Sequence, residues 1–567
     1  MSHTQSAKEI KNSVLSQELQ KSQNFYKSDL ILKEYLGRKL TKDAISYMEN
    51  KWVEVGRQAA INMDALSLDA DQNGPQLVKR NNLGETIDQV KFHPSYAELM
   101  QIAIDSEMFT VKWKPELRKK YESDLHKLGF SSGYIYALSE LGQYCPLCMT
   151  DGVARLIDIH TNAEDQARLI PKIATKNLSE LYTGAMFLTE KSGGSDVGRN
   201  IVKAEKVNGT EDLYYLKGEK WFCSNVNADI IFALARTDNN IPGTKGLSIF
   251  MIEKNLPNGE KNPLPIIRLK EKLGVRSMAS AECKMDKTIG KLVGEEFKGF
   301  KIMTDMINLS RLYNSVAALS GARRGLIEAY NFNLYRESFN DKAINHPLIR
   351  DKFFELGSLH VANFYLTWKA IESLDAADNG DKNAAQLSRI LTPMVKKWSA
   401  EKAVYIVRES MELMGGMGYI EDGVMPKIMR DVMVLPIWEG AGNIMVLDML
   451  RASFKSEGLH VMLTEIASVI GKDPEYDKLI TDHLNSIQNK VASFQSLDKD
   501  ALELNAKHIF ERLTTLYQLT ILIDNSNPSN SKWMTPSKKY LSLQLEQKNP
   551  DFLLSSTEVE GLIGWDI

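Results

Sequence analysis

The chain has 567 residues, 43% of them hydrophobic and 25% charged, with 70 basic and 73 acidic side chains and a net charge of −3. At roughly 100–200 residues per domain, that length implies several domains with enough core to dispense with disulfides or structural metals. The near-balance of charge excludes a globally basic nucleic-acid binder, and the apolar share excludes a disordered chain.

The chain starts Met1-Ser-His-Thr-Gln-Ser-Ala-Lys-Glu-Ile10. No basic segment leads into an apolar one, so no signal peptide is expected. No run approaches the ~18 apolar residues that a transmembrane helix needs, so no membrane span is expected. Four cysteines, Cys145, Cys148, Cys223 and Cys283, are too few for a disulfide scaffold. These features together predict a cytoplasmic setting.

Residues 1–180 read as a helical domain. Ile45, Met48, Trp52, Val55, Ala59, Met63 and Leu66 recur three and four apart, which is a helical period. The polar turn Asp71-Gln-Asn-Gly-Pro75 interrupts this region. Residues 181–293 change character and read as a β domain. Leu213-Tyr-Tyr-Leu216, Asp229-Ile-Ile-Phe-Ala-Leu-Ala235 and Leu247-Ser-Ile-Phe-Met-Ile252 are strand-like runs between Gly, Pro and Asn turns. Residues 294–453 return to helical period, with Leu309, Leu312, Val316, Leu319, Leu326 and Tyr330 on one face. Residues 454–567 form a further helical segment, broken at Ser526-Asn-Pro-Ser-Asn-Ser531. Helices, then strands, then helices predict an α+β fold rather than alternating βαβ units. Gly415-Gly-Met-Gly418 does not complete a dinucleotide-binding GxGxxG.

Three segments carry the chemistry. In Phe187-Leu-Thr-Glu-Lys-Ser-Gly-Gly-Ser-Asp-Val197 the glycines permit close backbone approach, and Thr189 and Ser195 offer hydroxyls. The plainer reading is a polar loop beside a strand. In Gly218-Glu-Lys-Trp-Phe-Cys-Ser-Asn225, an aromatic at Phe222 and a hydroxyl at Ser224 suit a flat heteroaromatic ligand. Taken alone, Trp221 and Phe222 read as core. Glu439 follows the apolar run Val434-Leu-Pro-Ile-Trp438 and precedes Gly440. An apolar setting disfavours the charged carboxylate and raises its pKa toward general-base range. The plainer reading is a helix-start glutamate favoured by the helix dipole.

In this order and spacing the segments resemble the acyl-CoA dehydrogenase family, over about residues 90–452. Met429-Arg-Asp followed by Ile-Trp-Glu-Gly resembles the family's catalytic signature. Leu188-Thr-Glu with Gly194-Ser-Asp-Val resembles its flavin loop. Tyr335-Arg-Glu-Ser-Phe339 and Glu412-Leu-Met-Gly-Gly-Met-Gly-Tyr419 resemble the motifs that meet flavin adenine dinucleotide (FAD) across a dimer. Phe92-His-Pro-Ser-Tyr96, Trp221-Phe-Cys-Ser224 and Trp438-Glu-Gly-Ala-Gly-Asn-Ile-Met445 are similar to the alkylation-response, AidB-like branch. The implied fold has an N-terminal helical domain, a middle β domain and a C-terminal helical bundle, here followed by the added helical segment.

The resemblance implies α,β-desaturation of a fatty acyl-CoA thioester, with Glu439 as the catalytic base and hydride transfer to flavin N5. It places Leu188, Thr189, Gly194, Ser195, Phe222, Ser224, Arg336, Ser338, Phe339, Gly415, Gly416, Ala441 and Asn443 at the cofactor. Within that set Thr189 matches the flavin pyrimidine edge, Phe222 an aromatic wall, Ser224 a hydroxyl near N5 and Arg336 a pyrophosphate clamp. Ser195, Asn308, Arg311 and Gly440 match the substrate side. No metal is implied. The implied partners are acyl-CoA, an acceptor such as electron-transfer flavoprotein, and further copies of the chain in a dimer of dimers.

Four positions depart from the family pattern. Ala441 replaces a threonine, Asn443 a glutamine and Asn308 an acid three residues before Arg311. Glu412 stands where a glutamine approaches the diphosphate, and its carboxylate repels that group unless it is paired or turned away. Cys145-Pro-Leu-Cys148 and Cys223 read as packing residues, His93 as structural, and Lys538-Lys539 as solvated surface.

Residues 454–567 carry 11 Lys plus Arg against 16 Asp plus Glu. A duplex-binding segment presents a basic footprint, so DNA binding is not expected of this one. Its apolar residues Leu502, Leu504, Ile509, Leu513, Leu516, Leu519 and Ile523 predict a packed helix. Two alternatives to a dehydrogenase follow from the branch and from the departures. One is a flavin-containing alkylation-response protein that protects DNA, with weak dehydrogenase activity. The other is a non-catalytic acyl-chain binder.

Overall fold

Thr41 accepts a hydrogen bond from the Ala44 amide and starts the Lys42–Ile61 helix. Met48, Trp52, Val55 and Ala59 on that helix are buried, as their spacing predicts. The apolar series does not continue as one helix. It breaks at Asn62, and Leu66 sits half-buried on a separate helix, Met63–Gln72. The computed structural model describes residues 24–566, so the start of the chain read for a signal peptide lies outside the described residues. These residues form two compact units.

One unit comprises residues 24–62, Tyr121–Ser139 and residues 314–566, and it is almost wholly helical. The long helices Pro347–Asp378 and Lys382–Leu413 pack against each other, joined by a turn in which Gly380 takes φ 90°. Helices Lys499–Asn525 and Ser531–Glu546 pack on Pro347–Asp378, so the appended segment belongs to this unit. Ile509, Leu513, Leu516, Leu519 and Ile523 are buried there. Leu504 points to solvent, because the apolar stripe starts one turn later than the sequence pattern suggested. Lys538 corrects the surface reading: it is buried and pairs with Asp473 at 2.6 Å.

A fully buried ion pair ties the Leu30–Lys39 helix to the end of the Ser556–Ile563 helix. Asp29 caps the Leu30–Lys39 helix and takes two hydrogen bonds from the Arg323 guanidinium, at 3.0 and 3.1 Å. Tyr134 donates its hydroxyl to the same carboxylate at 2.9 Å. Arg323 also donates to the carbonyls of Ile563 and Gly564, which end the Ser556–Ile563 helix. That last helix carries a capping box, Ser555 with Glu558, and closes on Gly564 at φ 58°.

The other unit comprises Met63–Lys120 and Glu140–Tyr313. It contains the expected sheet, together with a hairpin that the sequence reading missed. Strands β1 (Gln76–Arg80) and β2 (Thr86–Lys91) pair antiparallel inside the region expected to be helical. The Asn81 side chain makes the turn by accepting from the amides of Leu83 and Glu85.

The main sheet has seven strands: β3 (Gly184–Phe187), β4 (Lys203–Lys206), β5 (Leu213–Ser224), β6 (Ile230–Ala235), β7 (Ser248–Glu253), β8 (Ile266–Leu269) and β9 (Ser280–Leu292). Their order is β3-β6-β7-β9-β5-β4, with β8 also on β9. Only β3 and β6 pair in parallel; the other ladders are antiparallel. Every residue of β6 is buried, which explains its uninterrupted apolar run. The helix Tyr144–His160 packs on β3. Among the described residues no helix is long and apolar enough to cross a membrane.

Candidate functional site

The expected flavin loop leaves β3 and is fixed from below by charge. Lys220 of β5 is fully buried and pairs with Glu190 at 2.7 Å. Burial holds the Lys220 ammonium below the ordinary lysine range, against the pull of Glu190. Glu190 also accepts from the amides of Ile201 and Val202, and the Trp221 amide donates to the Thr189 carbonyl at 2.9 Å. Arg236 donates to the carbonyls of Gly198, Asn200, Ile241 and Gly243, which ties down the far end of the loop. Gly193 tolerates no side chain, since a Cβ there would lie 2.2 Å from the Asp196 carbonyl. Above this base, Leu188 and Thr189 are half-buried, and Gly194 and Ser195 are exposed.

On β5 the alternation of side chains breaks between Lys220 and Cys223. Lys220 and Cys223 point inward, while Phe222 is 55% exposed. The core reading of Phe222 is therefore corrected: a β-bulge between Lys220 and Cys223 turns this ring to the surface. Lys270 sits 4.5 Å from its ring centroid and 3.7 Å from that of Trp221. Ser224 Oγ lies 3.2 Å from Ser280 Oγ. Cys223 packs as expected, and burial together with neighbouring Cys283 pushes its thiol well above the usual range.

On the Gly299–Tyr335 helix, Arg311 donates to the Asn308 side-chain oxygen at 3.3 Å. A neutral amide thus occupies the acidic position and still bonds the arginine. Deeper in this unit, buried Asp151 accepts from Lys112, Trp113 Nε1 and the Tyr313 hydroxyl. Burial, then the Asp151 charge, pushes the Tyr313 phenol well above its usual range.

The helical unit holds the remaining residues. Glu439 lies in the turn between helices Met425–Val432 and Gly442–Lys455 at φ 57°, followed by Gly440 at φ 102°. A glutamate in the left-handed region is uncommon, and such strain is held by its surroundings. Two side chains grip this turn. Asn314 donates to the Leu435 carbonyl at 3.1 Å, and the buried Lys396 ammonium donates to the Gly440 carbonyl. The apolar run before Glu439 is only partly enclosed: Leu435 is buried, Ile437 is 67% exposed and Glu439 is half-buried. Ala441 and Asn443 are exposed at the start of the next helix.

Arg336 is exposed, and its guanidinium has no ion-pair partner among the described residues. Ser338 Oγ lies 3.1 Å from His346 Nε2, and Phe339 is 93% exposed. Gly415 adopts φ 58°, and a Cβ on Gly415 or Gly416 would meet nothing within 4 Å. Glu412 pairs with Arg408 at 2.8 Å, so its charge is balanced beside that turn.

Each group by itself suits one part of FAD. The hydroxyls and exposed ring of the sheet unit suit a flat heteroaromatic ring, and the exposed guanidinium and open glycine turn of the helical unit suit a diphosphate. The sequence reading missed the supporting residues Lys220, Arg236, Asn314 and Lys396. Local sequence carried no clear signal for them: Lys396 is followed by Lys397, and Lys220 is preceded by Glu219. The remaining expectations are placed plainly: His93 caps the Pro94–Asp105 helix, and Cys148 is buried in Tyr144–His160. Among the described residues no group of three or more His, Cys, Asp or Glu is placed to hold a metal.

Three family models match the chain. They are the adaptive response protein AidB N-terminal domain over residues 16–179, the acyl-CoA dehydrogenase middle domain over 185–288, and the acyl-CoA dehydrogenase C-terminal domain over 298–454. The putative acyl-CoA dehydrogenase AidB of Escherichia coli is 30% identical over 466 residues, covering 81% of this chain and 83% of that protein. Acyl-CoA dehydrogenase family member 11 of Caenorhabditis elegans is 26% identical, covering 89% of this chain and 85% of that one. A crystal structure of Caenorhabditis elegans ACDH-11 in complex with C11-CoA matches with a TM-score of 0.82 and 25% identity, covering 91% of this chain and 90% of that one. With its helices, its sheet and its flavin-loop residues arranged as above, this chain belongs to the acyl-CoA dehydrogenase family of FAD-dependent oxidoreductases, beside the AidB-like proteins.

Proposed function

We propose that the protein desaturates a fatty acyl-CoA thioester between its α and β carbons, with Glu439 as the base. The observation that carries this reading is the strained Glu439 turn, gripped at Leu435 and Gly440. A carboxylate held this way is pre-aimed, and orientation is a large part of a proton-transfer rate. Glu439 removes the α-proton, and its own amide N–H serves the thioester oxygen as charge develops there. When bound, FAD supplies the two-electron acceptor for the β-hydrogen. Leu188, Thr189, Gly194, Ser195, Phe222 and Ser224 hold the flavin end. Arg336, Ser338, Phe339, Gly415, Gly416, Ala441 and Asn443 hold the adenine-diphosphate end. Ser195, Asn308, Arg311 and Gly440 take the thioester side.

The exposure of Arg336 and Phe339 and the open Gly415 turn support contact with a cofactor from another subunit, in a dimer of dimers. The C11-CoA bound by ACDH-11 supports a medium-to-long acyl-CoA as substrate. An electron-transfer flavoprotein is the proposed acceptor. The functional divisions we assign are residues 1–180, 181–293, 294–453 and 454–567. The test is anaerobic addition of an acyl-CoA series while flavin absorbance is followed. Bleaching by at least one chain length supports the reading, and an oxidised flavin throughout the series overturns it.

The match to an AidB N-terminal domain favours a second reading, a flavin-containing alkylation-response protein that protects DNA. The acidic excess of residues 454–567 stands against it. A salt-dependent DNA titration decides: no binding at low salt removes this reading.

A further inference from the structure

We propose that Lys396 is a positioning residue that sets the geometry of the Glu439 turn through the Gly440 carbonyl. The proposal rests on the reading of Glu439 as the base. Lys396 lies on the Lys382–Leu413 helix and has no exposed surface. A lysine ammonium is seldom buried unless a defined partner receives it. Here it donates to the carbonyl of Gly440, the residue after Glu439.

That carbonyl lies at the one point where the chain leaves the left-handed region. Glu439 and Gly440 both have positive φ, and Ala441 returns to extended backbone as the N-cap of Gly442–Lys455. Alanine offers no side-chain cap, so nothing on residue 441 itself orients the junction. Fixing the Gly440 carbonyl fixes the peptide that follows it and, through Gly440, the direction in which Glu439 leaves the turn.

The next residue of the same helix lies near the other side of this junction. Lys397 pairs with Glu401 at 2.7 Å, and Glu401 Oε1 lies where a Cβ on Gly442 would come within 2.7 Å. The Glu401 carboxylate and the Lys397 ammonium thus lie beside Gly442. Lys396 and Lys397 are adjacent yet do separate work, one on the carbonyl before the new helix and one behind its first residue. On the surrounding helices Arg389 pairs with Asp448, Lys427 with Asp431, and Arg430 with Glu421.

The test compares Lys396→Met, which keeps length and apolar bulk but loses the donor, with Lys396→Arg, which keeps a cationic donor. Glu439→Gln is run in parallel. In FAD-loaded protein, Lys396→Met should lower the single-turnover rate of flavin reduction about 30-fold or more, since small misplacements of reacting groups cost up to ~100-fold. The acyl-CoA dissociation constant should stay within about twofold, and Lys396→Arg should recover part of the rate. A second readout needs no activity: amide hydrogen exchange over residues 433–441 of Lys396→Met should quicken in the cofactor-free protein, with distant helices unchanged.

A folded Lys396→Met with a rate within threefold of wild type, or with unchanged exchange in the turn, overturns the proposal. Loss of fold in both Lys396→Met and Lys396→Gln assigns the lysine to bundle packing and overturns it as well. If Glu439→Gln reduces flavin normally, the base reading itself falls. If Glu439→Gln is inactive while Lys396→Met is normal, only the present proposal falls.

Discussion

Phe222 shows how much one residue's environment changes its meaning. An aromatic ring on a strand is ordinarily core, yet this one stands 55% exposed between buried Lys220 and Cys223. Its removal should cost the apoprotein little and the flavin much. We predict that Phe222→Ala weakens FAD retention about tenfold, the upper range of one aromatic contact, with apoprotein melting unchanged. Equal loss of stability and of FAD would return Phe222 to a structural role.

His360 makes the opposite case. It is fully buried on Pro347–Asp378, and neither ring nitrogen has a hydrogen-bond partner among the described residues. Burial, then the charge of Arg323, depresses its pKa well below 6.5. As pH falls below 6.5, the unfolded chain binds a proton that the folded chain refuses. Stability present above that pH is therefore lost on acidification, at up to ~1.4 kcal/mol per pH unit. Between pH 7.5 and 5.5 the wild type should lose about 1 kcal/mol more than His360→Leu in urea unfolding. Equal losses would show that His360 does not contribute to acid sensitivity.

At the scale of elements, buried ion pairs decide where segments end up. Lys220 and Glu190 fasten the loop after β3 to β5. Removing one partner leaves a buried charge, so Lys220→Met should cost about 3–5 kcal/mol and release the loop. Urea unfolding with a measured FAD content checks both halves; a change under 1 kcal/mol would contradict it. Asp29 and Arg323 do the same for helices Leu30–Lys39 and Ser556–Ile563. Asp29→Asn should cost about 3 kcal/mol, read by chemical denaturation, and should loosen the Ser556–Ile563 helix in hydrogen exchange. Stability within 1 kcal/mol of wild type would show that the clamp is dispensable.

These supports were not legible in the sequence, and the reason is physical. A motif such as Leu188-Thr-Glu is local, whereas the partner of Glu190 lies 30 residues on and that of Gly440 lies 44 residues back. The hairpin β1–β2 was hidden for another reason. Its strands are exposed or half-buried throughout, so they carry no contrast of apolar and polar faces. The long helices and the buried strand β6 were legible because burial had written their period into the sequence.

At the scale of the whole molecule, the opening charge balance acquires a position. Residues 454–567 hold the acidic excess, and they also supply helices that pack on Pro347–Asp378. That packing role is met within one chain and needs no nucleic acid. The family was readable from five motifs in order, because each is a short local run of residues. The grip on Glu439 was not readable, since it exists only once Lys396 and Gly440 are brought together in three dimensions.

The central claim is that Glu439 takes the α-proton of an acyl thioester. The most direct measurement is anaerobic stopped-flow mixing of FAD-loaded wild type and Glu439→Gln with an acyl-CoA of about eleven carbons, the chain length bound by ACDH-11. The wild-type flavin should bleach. The variant should bind FAD equally and bleach at least ~1,000-fold more slowly, because an amide cannot accept the proton. Bleaching of Glu439→Gln at the wild-type rate would contradict the account.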